Sequence, residues 1–314
     1  MTSTKCLFRA VVTGFAILAA CGRTALNQSA KGGDGGGAIG DTGKAAADAA
    51  IRELGFAPDG SPSGVSFSGV VVAKIDQSGT TNAYSALAEF VTGAPFGIVS
   101  YSTNGLGVGS CGCQEGTATP GLRAPDAGTV TLMSVETTVA TLEPGGTGET
   151  WDLGSAWRVQ FGAYWLVDSQ SWNPGDALTV SATGNQVHAF TGTLQTGSLL
   201  AGVVPLIGPA PVVVDLTQDF EVSWTPEGRS NEIVLLMLQG LGLTCYCIVP
   251  DSAAHVTVDA SIVNAFGNAH YTGYSAPGSG RILLDRLITT SASSDNASIA
   301  LIGEVAMSGD VTFQ

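Results

Sequence analysis

The sequence is poor in the side chains that usually carry chemistry. Its 314 residues hold three histidines, His188, His255 and His270, far apart and at no metal-ligand spacing. No E-x-x-H, H-x-x-x-H or Asp-rich calcium loop occurs, so the reading carries neither a metal nor a cofactor. Charged residues are 12% of the chain, with 12 Lys and Arg against 26 Asp and Glu. A formal charge of −14 repels phosphate backbones and excludes nucleic acid as a partner. Long apolar runs are missing as well. The run from Ala10 to Ala20 is about half of what a transmembrane helix needs.

Motifs that would signal catalysis fail on context. Gly107-Val-Gly-Ser-Cys-Gly112 fits G-x-G-x-x-G, yet no βαβ pattern surrounds it and Pro120 follows soon after. Ala38-Ile-Gly-Asp-Thr-Gly-Lys44 approaches a phosphate loop, but Ala45 stands where the Mg²⁺-binding hydroxyl belongs. Gly273-Tyr-Ser-Ala-Pro277 has a proline where a nucleophile elbow requires glycine. Glu136, Glu143 and Glu149 lie in turn-rich sequence without an evident partner, so no glycosidase carboxylate pair is indicated. The reading is therefore of a protein that is not an enzyme, with an unrecognised secreted enzyme as a distant alternative.

What is present begins at the N-terminus. Lys5 and Arg9 precede the apolar stretch, which closes in Leu18-Ala-Ala-Cys21. A basic start, a short greasy centre and a small-residue exit form a secretory signal. Small residues immediately before a cysteine further suit acylation of its thiol followed by cleavage. Residues 1–20 are expected to be a lipoprotein signal peptide, with Cys21 the lipidated N-terminus. Two or three acyl chains anchor firmly where one does not, at about 0.8 kcal/mol per buried methylene. Gly22, rather than an aspartate, points to the outer membrane. Removal of the signal takes the cationic residues from 12 to 10 and leaves all 26 acids, for a mature formal charge of about −16.

Residues 21–63 read as the lipidated cysteine and a glycine-rich linker, with Lys31-Gly-Gly-Asp-Gly-Gly-Gly37 and one candidate short helix over Ala45–Leu54. From Val65 the hydrophobic period becomes two. Strands are expected at 65–75, 83–90, 96–101, 128–133, 137–142, 157–167, 178–182, 219–224, 232–239, 243–249, 255–258, 281–289 and 298–307. Asn173-Pro-Gly-Asp176 is a turn, because proline presets φ and glycine accepts φ > 0. The run Glu232–Gln239 is continuously apolar between its two end residues and suits a strand buried on both faces. The fold class is all-β, an antiparallel β-sandwich in two packed domains, 64–204 and 205–314. The second is immunoglobulin- or fibronectin-like, with the break near Pro209-Ala-Pro211.

The mature cysteines come in two C-x-C pairs, Cys111/Cys113 and Cys245/Cys247. Residues i and i+2 of a strand share a face about 6.5–7 Å apart, at or beyond the usual disulfide limit. The first pair is therefore expected to bond to the second, as an oxidising compartment permits, with the two crossed connectivities left open. A Cys₄ zinc site and a redox-active Cys111-Gly-Cys113 are the weaker readings. Trp151, Trp157, Trp165 and Trp172 fall within 22 residues. Trp157, Phe161 and Trp165 share core parity. Trp151, Trp172 and Tyr164 are left as candidate ligand-binding aromatics for a glycan.

The lipobox, the Gly/Asp spacer, Gly175-Asp-Ala-Leu-Thr-Val-Ser-Ala-Thr-Gly184 with Ala189-Phe-Thr-Gly192, and Phe220-Glu-Val-Ser-Trp224 resemble surface lipoproteins of myxobacteria and their relatives. The likeness covers roughly residues 64–314. It implies a β-sandwich in the cell envelope, held to the membrane by its N-terminal lipid, and brings no activity with it. The expected role is non-catalytic: adhesion, envelope structure, or binding of a glycan or protein ligand.

Overall fold

The computed structural model describes residues 67–78, 81–92, 108–115, 125–144, 151–152, 158–159, 164–229, 231–240, 243–268 and 278–314. The lipobox with Cys21, the linker, the candidate helix over 45–54, the strand expected at 96–101 and His270 lie outside them. So do the side chains of β-strand residues 164–169, and with them the shared face expected for 157–167.

The fold is all-β, built on one large mixed sheet. Its strands are β1 (Phe67–Ser78), β2 (Thr81–Thr92), β3 (Ser110–Glu115), β13 (Glu232–Gly240), β14 (Leu243–Pro250), β16 (Ser279–Ser293) and β17 (Ala297–Phe313), in the order β2-β1-β17-β16-β13-β14-β3. The short β11 (Val212–Val214) pairs with the end of β17. Pairing is antiparallel throughout except for β1 and β11, which run parallel to β17. Alternation gives every strand an inner and an outer row. On β13, Val234, Leu236 and Leu238 face inward while Ile233, Leu235 and Met237 face outward, so the expected two-sided burial holds.

The inner face is covered in two parts. One part packs against a five-stranded antiparallel sheet, β10-β9-β4-β5-β8, made of β4 (Val130–Ser134), β5 (Thr137–Pro144), β8 (Tyr164–Ser169), β9 (Ala177–Ala182) and β10 (Phe190–Gln195). Val71, Ile75, Phe90, Leu301 and Val305 of the large sheet share that core with Leu132, Leu142, Leu178 and Leu194. The other part packs against a two-stranded sheet, β12 (Phe220–Ser223) with β15 (His255–Val258), and a helix, α1 (Ala260–Asn268). A remaining pair, β6 (Trp151–Asp152) with β7 (Arg158–Val159), stands apart from these sheets.

The sheets approach closely where β10 crosses β17. A Cβ on Gly303 would collide with the Gln195 carbonyl oxygen. One on Gly192 would come within 2.7 Å of both Ala292 Cβ and Leu301 Cδ1. Glycine is required here for proximity, not for backbone conformation.

β4 and β5 fall on two of the expected strand spans and pair directly with each other, and the Asn173–Asp176 turn forms as expected. Asp176 donates its N–H to the Asn173 carbonyl at 3.0 Å, and Gly175 has φ 89°, a proline-glycine turn leading into β9. Three features differ from expectation. The boundary at 204/205 does not separate two sheets: β1, β2 and β3 from one side share a sheet with β13, β14, β16 and β17 from the other. Residues 205–314 are accordingly no free-standing immunoglobulin-like unit. The helix α1 was not anticipated, although Ile262, Val263 and Phe266 have helical spacing. Its first turn is capped from outside by Asp219 Oδ1, which accepts the Ala260 N–H at 2.7 Å. Phe266 then stacks on Phe313, with ring centroids 4.5 Å apart.

Candidate functional site

The two cysteine pairs meet as register partners of neighbouring strands, Cys111 with Cys247 and Cys113 with Cys245. Antiparallel pairing selects this connectivity, since two steps forward on β3 are two steps back on β14. The expected crossing between pairs holds, and all four sulfurs are committed to disulfides. Both bridges tie the edge strand β3 to the sheet over loops of 136 and 132 residues. The first to close contributes about 4–5 kcal/mol by chain entropy. The second then closes only a small ring and adds little.

Trp172 was a candidate for display on the surface because it precedes a turn. The structure corrects this: it is 4% exposed, a core residue set edge-on to Tyr84 with centroids 5.0 Å apart. The turn folds the indole back over the large sheet. Trp151 and Tyr164 are placed on β6 and β8, with their side chains outside the described residues. His188 is exposed, 3.9 Å from Asp295 Oδ2, and the exposed His255 ring has Nδ1 2.9 Å from the Ala253 carbonyl. Glu143 accepts a hydrogen bond from the Thr129 hydroxyl at 3.0 Å.

The most unusual chemistry is one the sequence reading passed over: ionised side chains inside the β core. Arg286 on β16 is fully buried on the inner face, where the two inner cores meet. Its Nε donates to Asp251 Oδ1 at 3.0 Å, and Nη2 donates to the Thr225 carbonyl at 2.8 Å. Nη1 donates to the carbonyls of Leu199 at 3.1 Å and Ser198 at 3.3 Å. Asp251, equally buried, also accepts Trp224 Nε1–H at 2.9 Å and the Glu227 N–H at 2.7 Å. One ion pair thus holds four chain segments together with nearly every donor and acceptor used. Glu232 lies beside it, buried, its Oε1 3.6 Å from Arg229 Nη1. Burial pushes the Glu232 carboxyl up to about 7, with Asp251 adding to the rise and Arg286 and Arg229 opposing it.

The second group occupies the outer face. Lys74 Nζ on β1 lies 3.0 Å from both Glu304 Oε1 and Asp76 Oδ1. Asp285 is fully buried beside them and neither of its carboxylate oxygens has a hydrogen-bond partner. Burial alone would lower the Lys74 ammonium, but Glu304, Asp285 and Asp76 together hold it above its ordinary value. Burial raises Asp285 well above the carboxylate range, and the Glu304 charge adds to it against the pull of Lys74. Glu304 is raised by burial too, with Lys74 opposing. One lysine facing two interior acids favours a proton retained between them near neutrality.

These groups can brace and they can titrate. Among the described residues, no cluster of three or more His, Cys, Asp or Glu side chains is arranged to hold a metal ion. Among the same residues, no helix is long and apolar enough to cross a membrane. The class the fold and bonding define is a disulfide-stapled, all-β sandwich. Compared with known families and with curated proteins, the chain matches no family model and no individual protein.

Proposed function

We propose that this is an exported envelope lipoprotein with a binding, adhesive or structural role rather than a catalytic one. The observation that carries the reading is the double disulfide at the sheet edge. Two such bridges are compatible with an oxidising compartment outside the cytoplasm and are rare in a reducing one. The lipobox at Leu18–Cys21 supplies the route there, and acyl chains on Cys21 the attachment, with the outer membrane as the destination. The buried Arg286–Asp251 pair supports a non-catalytic role, since its hydrogen bonds go to groups of its own fold. A glycan-binding role is narrowed by the burial of Trp172 to Trp151 and Tyr164.

Intact mass of the protein from its native membrane tests the proposal. The expected result is a chain beginning at Cys21 that carries two or three acyl groups, with Cys21→Ser released to the soluble fraction. An unprocessed, acyl-free chain in the cytoplasm would overturn it.

A further inference from the structure

The outer face of the large sheet holds an amine and a carboxyl in contact, out of water, on strands far apart in the chain. Lys74 of β1 and Glu304 of β17 are register partners across one strand spacing. Their side chains are 10% and 1% exposed, and Nζ stands 3.0 Å from Oε1. Neither oxygen of Glu304 makes a well-directed hydrogen bond. The next row of the sheet runs Asp76, Ala306, Asp285 across β1, β17 and β16. Asp285 is thus the diagonal neighbour of Glu304 on the same face, fully buried and with both oxygens unpartnered. Ala306 puts only a methyl group between the two acids of its row.

We propose that this is a modification site, at which the Lys74 amine and the Glu304 carboxyl condense into an amide that joins β1 to β17 covalently. The ion pair is the state before closure. The net step converts an ammonium and a carboxylate into an amide and one water, with no change of oxidation state. The Lys74 ammonium first passes a proton to the Glu304 carboxylate. The lone pair of Nζ then forms the bond to Cδ, the bond from Cδ to the hydroxyl breaks, and the hydroxyl leaves as water with a second proton from Nζ. Asp285, kept in its acid form beside Glu304, donates to the oxygen that stays, where negative charge develops. An amide at position 285 donates likewise.

Burial is the largest influence on Lys74, Asp285 and Glu304 alike, and it disfavours the charged form of each. The surrounding acids pull the other way on Lys74 and hold its proton, so the neutral amine is the minor form and its supply limits the rate. A buried ion pair short of hydrogen bonds is costly to keep, and condensation removes both of its charges. Contact within the fold also replaces an encounter in solution, an advantage equivalent to an effective molarity of about 10⁵ M or more. Asp76 is 35% exposed, open to water, and so the poorer acceptor. The Arg286–Asp251 pair cannot follow this course, because a guanidinium does not give up its proton. Asp285 stays buried after closure, so the direction of its shift persists.

Peptide mapping of the reduced, digested protein by tandem mass spectrometry tests the proposal. The expected product is the Lys74 and Glu304 peptides joined as one species, lighter than their sum by one water, with fragment ions placing the bond between those two residues. Lys74→Arg keeps the positive charge but cannot form the bond, and should release the Glu304 peptide unjoined. Wild-type peptides recovered separately at full mass, with Lys74 open to trypsin, would overturn the proposal. So would a bond from Lys74 to Asp76 or Asp285, or a loss of water that survives in Lys74→Arg. The readout is covalent mass, so a destabilised variant does not obscure it.

Discussion

Asp285 and Arg286 are neighbours in sequence and opposites in structure. Read along the chain they look like a ready ion pair. On a β-strand they project to opposite faces and cannot meet. Arg286 goes inward to one carboxylate, three carbonyl acceptors and a shared network with Trp224. Asp285 goes outward to a site already holding Glu304, where one ammonium serves two carboxyls. The comparison separates two ways of burying charge. A fully satisfied pair fixes geometry, whereas an under-partnered acid is retained by taking up a proton.

Five experiments sharpen or break that contrast. The largest effect is expected for Arg286→Ala, which strands Asp251 in the interior. It should cost about 3–5 kcal/mol in chemical denaturation. Asp251→Asn keeps the shape but loses the charged acceptor and should cost about 2–3 kcal/mol. Asp285→Asn, one residue from Arg286, should run the other way, leaving stability unchanged or raising it by about 1 kcal/mol, because the acid is already driven toward its neutral form. A loss comparable to that of Asp251→Asn would erase the distinction between the faces.

The fourth test is pH. Asp285, Glu304 and Glu232 all have folded-state pKa values above their unfolded ones. Their contribution is complete below the unfolded carboxyl range and declines as pH rises through the folded values, which for Glu232 is about 7. Thermal unfolding should therefore show a higher Tm near pH 5 than near pH 8, by several degrees, with Asp285→Asn reducing the difference. The smallest effect is expected for Glu232→Gln. It should flatten the part of the curve between about pH 5 and 7.5 while changing stability at pH 5 by less than about 1 kcal/mol. A Tm that climbs steadily toward pH 8 in the wild type would contradict the assignment of raised values.

Much of the fold was legible because period-two patterning is local. β13 announced its two buried faces, β4 and β5 their spans, and Asn173–Asp176 its turn. The C-x-C spacing showed that one pair bonds to the other, because strand geometry disfavours bridging within a pair, and the register of β3 on β14 then chose between the two crossed connectivities. Long-range pairing was not legible. The break proposed after residue 204 followed a real cluster of prolines, but β1 finds its partner in β17, and no composition signal reports a neighbour more than two hundred residues away. β3 was hidden by its glycine-rich surroundings. Trp172 misled because proximity to a turn suggests exposure, whereas the contact with Tyr84 that buries it comes from a strand about ninety residues earlier. The charged groups were passed over because a strand's alternation says which face a residue takes, not what waits there.

The parallel register of β1 against β17 has a consequence for how the chain comes to be finished. The β1–β2 hairpin emerges in synthesis, and in any export from the N-terminus, well before its docking edge, residues 297–306. Until those residues arrive, Val71, Ala73 and Ile75 have no strand to lie beside on that side. Maturation is thus gated by the arrival of β17, and a product cut short before Ala297 is predicted to leave its first hairpin without an anchorage, a ready mark by which quality control could recognise such fragments.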